Sequence, residues 1–279
     1  MSATSEPTLF RLRVAYPKLG RLKYLGHLEL IHTVEQIVRR AHLPYAVTQG
    51  FSPHMRIAYT SALPVGTSSA AEYFDVHLTE LVPAPEALAR LQVASPADLR
   101  PLAAAYVELR RPALTAEINR VSYLVELTFA VGHAVDDEAL ERVFAGRLDA
   151  GTEIPYRRGK KHKTLAVAQL LRGQRHLVMP DGRAWIELQT SCDNEGSLRP
   201  EILIAALDQA LRGCDPGVDE EIVSTGIQQL TAIVGYQVER IFQGIAAEGG
   251  LPVPPLEVAL EAPAGSLAAR ARSEALSNL

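Results

Sequence analysis

Tyr24, His27 and His54 are the side chains whose chemistry is simplest to state. Two imidazoles and a phenol, if brought together, can move protons at a ribose hydroxyl, and the imidazoles can hold an anion. The surrounding residues are basic. Between Arg11 and Arg56 stand eight lysines or arginines (Arg11, Arg13, Lys18, Arg21, Lys23, Arg39, Arg40 and Arg56) against Glu29 and Glu35, although the 279-residue chain carries a formal net charge of -4. Positive charge so localised on an acidic protein points to an anionic ligand or a polyanion. The block Thr48-Gln49-Gly50-Phe51-Ser52-Pro53-His54-Met55-Arg56 adds a glycine able to take positive φ, an aromatic ring, a hydroxyl and a rigid proline. Such a loop can present groups to a ligand. The plainer alternative is a tight connection whose Phe51 plugs the core, with His27 a hydrogen-bonded structural histidine.

A second basic run, Tyr156-Arg157-Arg158-Gly159-Lys160-Lys161-His162-Lys163, is denser and reads as a loop. It is either a solvated turn or a phosphate-contacting surface, where each neutralised phosphate releases counterions and makes binding salt-dependent. Tyr156 can stack on a base, but one tyrosine is not a stacking platform, and no paired aromatic signature of a sheet-type RNA module occurs. The candidate ligand- or RNA-binding set is Lys18, Arg21, Lys23, Arg39, Arg40, Gln49, Gly50, Phe51, Ser52, His54, Arg56, Arg157, Arg158, Lys160, Lys161 and Lys163, and the candidate catalytic set is His27, His54 and Tyr24.

Two cysteines, Cys192 and Cys214, stand outside any ligand-type spacing, and the chain has no CxxC, CxxxCxxC or HExxH. No metal site and no cofactor are expected on this chain. The opening residues lack a basic n-region and an apolar h-region, and no apolar run approaches the roughly 20 residues that span a bilayer. A cytoplasmic protein with no membrane contact is the expectation.

The elements that must position these groups follow from periodicity. Residues 8–16 alternate apolar with basic side chains and predict a strand ending at Pro17 and Gly20. In residues 27–41, Leu30, Ile31, Val34, Ile37, Val38 and Ala41 recur at three and four, predicting a helix stopped before Pro44. Strands at 45–48, 55–59 and 71–78, a helix at 83–91 and a strand at 99–109 complete a β-α-β-β-α-β order, followed by a connector at 110–119. The second half reads as a strand at 121–131, a helix at 136–145, a strand at 153–157 and a helical insertion at 164–171. A hairpin (176–179 and 184–190), a helix at 198–211 with Ser197 as candidate cap and a last strand at 222–234 follow. The expected fold is α+β: two tandem ferredoxin-like halves with antiparallel sheets, at 8–112 and 118–243. Beyond them, 244–279 reads as a disordered, flexible tail whose 266–276 stretch can form a short helix on a partner.

The segments Tyr24-Leu25-Gly26-His27-Leu28-Glu29-Leu30, Arg39-Arg40-Ala41-His42-Leu43-Pro44-Tyr45, Gln49-Gly50-Phe51-Ser52-Pro53-His54 and Leu63-Pro64-Val65-Gly66-Thr67-Ser68-Ser69, with Glu72-Tyr73, resemble the uncharacterised bacterial radical SAM-linked protein family, DUF2344. Ser197-Leu198-Arg199-Pro200-Glu201 resembles that family's later helix start, so the likeness is expected to reach about residue 235. Glu29 stands where Asp is common in the family, and Ser52 where Asn is common. Because members stand beside, or are fused to, radical SAM proteins with a cobalamin-binding-type domain, the resemblance implies a partner rather than a reaction of this chain. The iron-sulfur cluster, SAM and cobalamin would then sit on that partner.

Three functions from different classes follow. The leading one is a non-catalytic accessory protein that binds RNA or presents a substrate to the radical SAM enzyme, in RNA modification or processing. A second is a metal-independent endoribonuclease using Tyr24, His27, His54 and Lys18, a suggestion of fold-level analogy alone. The third is a protein-interaction module whose basic surface docks on an acidic face of the radical SAM partner.

Overall fold

The sequence Phe10-Arg11-Leu12-Arg13-Val14 alternates in type, and the structure uses both faces of the strand it makes. β1 (Phe10–Lys18) pairs antiparallel with β3 (Ser68–Leu78) and β4 (Ala103–Val107). Leu12, Val14 and Tyr16 pack with Phe74, Val76 and Leu78 against Leu30, Val34, Ile37 and Val38 of α1 (His27–Arg40) and Leu91 of α2 (Ala84–Ala94). Burying each such side chain contributes roughly 1.5–3 kcal/mol, so this apolar layer is the main stabiliser of the region. α1 starts where Glu29 Oε2 accepts the Gly26 N–H at 2.7 Å, and it stops at His42, which takes φ 50° just before Pro44.

A computed structural model describes residues 8–133, 135–149, 151–192, 197–224, 229–247, 250–258 and 260–277. The protein is α+β, with seven helices among the described residues. Two compact units divide it: one holds the chain up to Ile118 plus Phe242–Ala269, the other Asn119–Ile241 plus the chain from Arg270. In the first unit the strand order is β4-β1-β3, with the short β2 (Ile57–Tyr59) also antiparallel on β3. Residues 110–119, expected as a connector, include a turn of helix, α3 (Leu114–Glu117), whose Leu114 is fully buried. Beyond Gln243, Ile245 bridges to Val253, and Leu256 is buried.

The second unit pairs β5 (Arg120–Phe129) with β9 (Arg183–Ser191), and β9 with β8 (Leu171–Val178), all antiparallel. α4 (Asp137–Gly146), capped by Asp136 accepting the Ala139 N–H at 2.8 Å, and α6 (Pro200–Leu211) cover one face of this sheet, where Phe144, Leu203 and Leu207 meet Val125, Ile186 and Leu188. The other face carries the register partners Glu126 and Trp185 under the C-terminal helix α7 (Leu267–Ser277). Glu126 there accepts from Arg183, Arg270 and Gln237, while Trp185 Nε1 donates to Glu274 Oε2 at 3.2 Å.

Tandem ferredoxin-like halves are not evident. The order β1-α1-β2-β3-α2-β4 is present, but the first unit is completed by chain that returns at Phe242, so the units are not consecutive. In the second, residues 153–166 leave the sheet as a separate hairpin of β6 (Glu153–Arg158), where a strand was expected at 153–157, and β7 (Lys161–Ala166), where the basic loop and the start of a helical insertion were expected. Only the four-residue α5 (Val167–Leu170) is helical there, because β pairing of Thr164 and Leu165 with β6 overrides their placement in a helical pattern. The last strand, expected at 222–234, is β10 (Ile233–Gly244). Its buried Glu239, Arg240 and Gln243 conceal the apolar alternation that marks a strand. Ser197 does not cap α6: it bridges to Cys192, and Arg199 is the cap residue with Pro200 in the first turn.

Candidate functional site

In the first unit, residues 48–54 form a clamped loop that projects its side chains outward. Val47 bridges to Met55, the Thr48 N–H donates to the His54 carbonyl at 2.8 Å, and the His54 N–H donates to Thr48 Oγ1 at 3.0 Å. Gly50 sits at φ 134°, a conformation that side-chain-bearing residues rarely adopt. Gln49, Gly50, Phe51, Ser52 and His54 are all exposed, and Ser52 Oγ lies 3.4 Å from His54 Nε2. Phe51 shows 108% relative accessibility, so it does not plug the core.

Apart from Arg56, which closely follows the loop, the other candidates of this unit make their contacts elsewhere. Lys18 is buried and donates to the carbonyls of Lys23 (3.2 Å) and Leu25 (2.9 Å), fastening the 3-10 turn Gly20–Tyr24 onto β1. Arg21 is exposed on that turn, and the Lys23 ammonium lies 5.3 Å from the ring of exposed Tyr24. His27 meets Tyr59 edge-on at 6.4 Å, and burial, then Glu35, pushes the Tyr59 phenol well up. No contact joins His27 to His54 among the described residues, so the proposed acid-base pair is not formed. Arg39 pairs with Glu35 at 3.6 Å, and Arg40 is exposed at the end of α1. Arg56 exposes its side chain while its backbone bridges Ala46 and His77.

Arg11 and Arg13 belong to the protein's interior. Asp75, fully buried on β3, accepts Arg13 Nε at 2.8 Å, Arg13 Nη2 at 3.0 Å, Arg11 Nε at 2.9 Å and Arg11 Nη2 at 2.6 Å. Arg13 Nη1 also pairs with Glu117 at 2.9 Å and donates to the Pro255 carbonyl at 3.2 Å, while Arg11 donates to the carbonyls of Arg111 and Pro112. Burial would lower the Arg13 pKa, yet Asp75 and Glu117 more than offset it and the net shift is upward. These two arginines brace the fold and offer nothing to a ligand.

The second unit carries the denser basic surface. β6 and β7 pair in register, Tyr156 with Lys163, Arg157 with His162 and Arg158 with Lys161, across a two-residue turn whose Gly159 takes φ 60°. Opposed residues of an antiparallel pair share a face, so Tyr156, Arg158, Lys161 and Lys163 lie together. Ile154 and Leu165 continue that face inward and are buried, anchoring the hairpin at its base. Arg157 lies on the other face and is taken up structurally: its Nε pairs with Glu221 Oε1 at 2.8 Å, and its backbone bonds Ile222 and Ser224. The same hydrogen bond and charge hold the Glu221 carboxyl below the usual carboxylate range. Arg158, Lys160, Lys161 and Lys163 are exposed and make no ion pair among the described residues.

Sequence reasoning missed the strand character of residues 161–166 and the bracing by Glu221. The signal for the strand was Gly159-Lys160 between two runs of alternating type, the pattern of a two-residue hairpin. Residues 11–200 match the model of DUF2344, described as an uncharacterised protein conserved in bacteria; the match ends short of the expected residue 235 and includes both the 48–54 loop and the β6–β7 hairpin. No curated protein matches the chain.

Proposed function

We propose that this chain, which belongs to the DUF2344 family, is a non-catalytic accessory protein that binds RNA and presents it to a radical SAM enzyme, in RNA modification or processing. One observation carries the reading: four exposed cations with no ion pair among the described residues, and a tyrosine, project from a braced β-hairpin whose base is buried. Two-stranded ribbons with this charge suit a nucleic-acid backbone, and on a chain whose overall net charge is -4 binding is confined to such a patch. The partner comes from the family resemblance; its iron-sulfur cluster, SAM and cobalamin supply whatever radical chemistry follows. The imidazoles of His27 and His54, each with separate neighbours, leave the endoribonuclease reading without a supporting geometry.

The test is fluorescence anisotropy of a labelled RNA against the purified chain between 50 and 200 mM salt. Four phosphate contacts give a log-log salt slope of about -3, or roughly 50-fold weaker binding across that range. Replacing Arg158, Lys161 and Lys163 by Ala should flatten the slope by about 2. If the parent binds no RNA, while a radical SAM partner is retained on it after nuclease treatment, the protein-docking reading replaces this one.

A further inference from the structure

We infer that the 48–54 loop is a stacking site for one unpaired nucleobase, with Phe51 as its platform and Gln49, Ser52 and His54 as the groups that meet the base edge. This rests on the RNA-binding reading above and adds a second contact, on the other unit, that discriminates unpaired from paired RNA.

The loop is built to keep Phe51 out. The Val47–Met55 bridge and the two Thr48–His54 hydrogen bonds close its neck, Met55 at the neck is buried, and Gly50 holds a φ of 134° that turns the chain at the tip. Within residues 49–54 Phe51 is the only large apolar side chain, flanked by amide, hydroxyl and imidazole groups. A protein anchor usually brings a cluster of apolar neighbours that exclude water around it. A lone ring among hydrogen-bonding groups matches instead the way unpaired bases are held, by one aromatic face and by polar contacts to the base edge. Charge agrees with that occupant. From Gln36 to Ala71 the chain has no Asp or Glu, while Arg56 follows the loop two residues after His54 and is exposed. Nothing negative in this stretch repels the phosphates beside a stacked base.

The experiment uses the full chain, a labelled single-stranded RNA of mixed sequence and a blunt duplex of the same sequence, with anisotropy at about 100 mM salt. Phe51 contributes no packing, so Phe51→Ala, Phe51→Leu and Phe51→Trp should unfold at the parent's urea midpoint. Stacking of one base predicts that Phe51→Ala and Phe51→Leu each weaken single-strand binding about 5- to 100-fold, that Phe51→Trp retains it, and that duplex binding is unchanged in all three. If Phe51→Leu binds as well as Phe51→Trp, the ring acts as a merely apolar anchor and the inference is overturned. It is also overturned if all three variants bind single-stranded RNA like the parent while the Arg158, Lys161 and Lys163 variant loses it; the RNA-binding reading then stands without the loop. A parent chain that binds neither RNA fails the RNA-binding reading itself, and the loop site falls with it.

Discussion

Asp75→Asn changes one buried carboxylate into an amide of the same shape and should cost the first unit about 3–5 kcal/mol. In the parent, Asp75 oxygens accept four N–H groups from Arg11 and Arg13 at 2.6–3.0 Å, with the Asp75 side chain at 0% exposure and those of Arg13 and Arg11 at 0% and 6%. The substitution leaves two guanidiniums buried against the single carboxylate of Glu117, itself shared with Arg111. The amide nitrogen also turns a donor toward donors, so part of the hydrogen bonding is lost with the charge. Urea unfolding followed by circular dichroism measures it: with a slope of about 2 kcal/mol per molar, the transition reporting the first unit should move down by about 2 M. The quadruple replacement Arg11→Leu, Arg13→Met, Asp75→Leu and Glu117→Gln removes the buried charges of this group together and should return to within about 2 kcal/mol of the parent, since uncharged side chains of similar volume carry far less desolvation cost. A loss below about 1 kcal/mol for Asp75→Asn would refute the reasoning and show that water reaches this cluster. It would also make Arg11 and Arg13 accessible to an anionic ligand.

Three further outcomes are expected. Gly217 sits at φ 74°, and a Cβ there would stand 2.2 Å from the Pro155 carbonyl oxygen at the base of the hairpin, so Gly217→Ala should destabilise the second unit by about 1–3 kcal/mol in urea melts. Burial first, then the charge of Arg56, lowers the His77 pKa from 6.5. The folded chain therefore binds fewer protons than the unfolded one just below pH 6.5; stability should be full above it and fall as pH drops toward the lowered value, and His77→Gln should flatten that part of the profile of urea midpoint against pH. Trp185, the sole tryptophan, lies under Arg270 at 5.3 Å and donates to Glu274, so Glu274→Ala should make its fluorescence more accessible to acrylamide, and unchanged quenching would disprove docking of α7 there.

Where local pattern and burial agree, the chain could be read directly. α1 and α6 follow from apolar side chains at three and four, and the start of β1 from alternation. Arg11 and Arg13 looked like surface charge because their counter-charge, Asp75, lies 64 and 62 residues further on, and no local pattern announces it. β10 was misplaced for the same reason: buried Glu239 and Arg240 imitate an exposed stretch. In the site, the loop residues 49–54 were recognisable by type, but whether Phe51 faced the core or water depends on clamps at Thr48 and His54 that a string of residues does not display. The basic run at 157–163 was visible as charge. Its sorting into a braced Arg157 and a free face required the register.

The return of the chain at Phe242 has a consequence for synthesis. Gln243 donates to the Ala71 carbonyl at 2.6 Å and Pro255 accepts from Arg13, so the first unit lacks these partners when Ile118 leaves the ribosome. At about 5–20 residues per second, on the order of ten seconds pass before Pro255 is made. During that interval the nascent first unit waits with its charged layer incompletely covered, while the second unit is translated as an insertion inside it. The protein begins its folding at the N-terminus and can finish it only after the C-terminal segment has arrived.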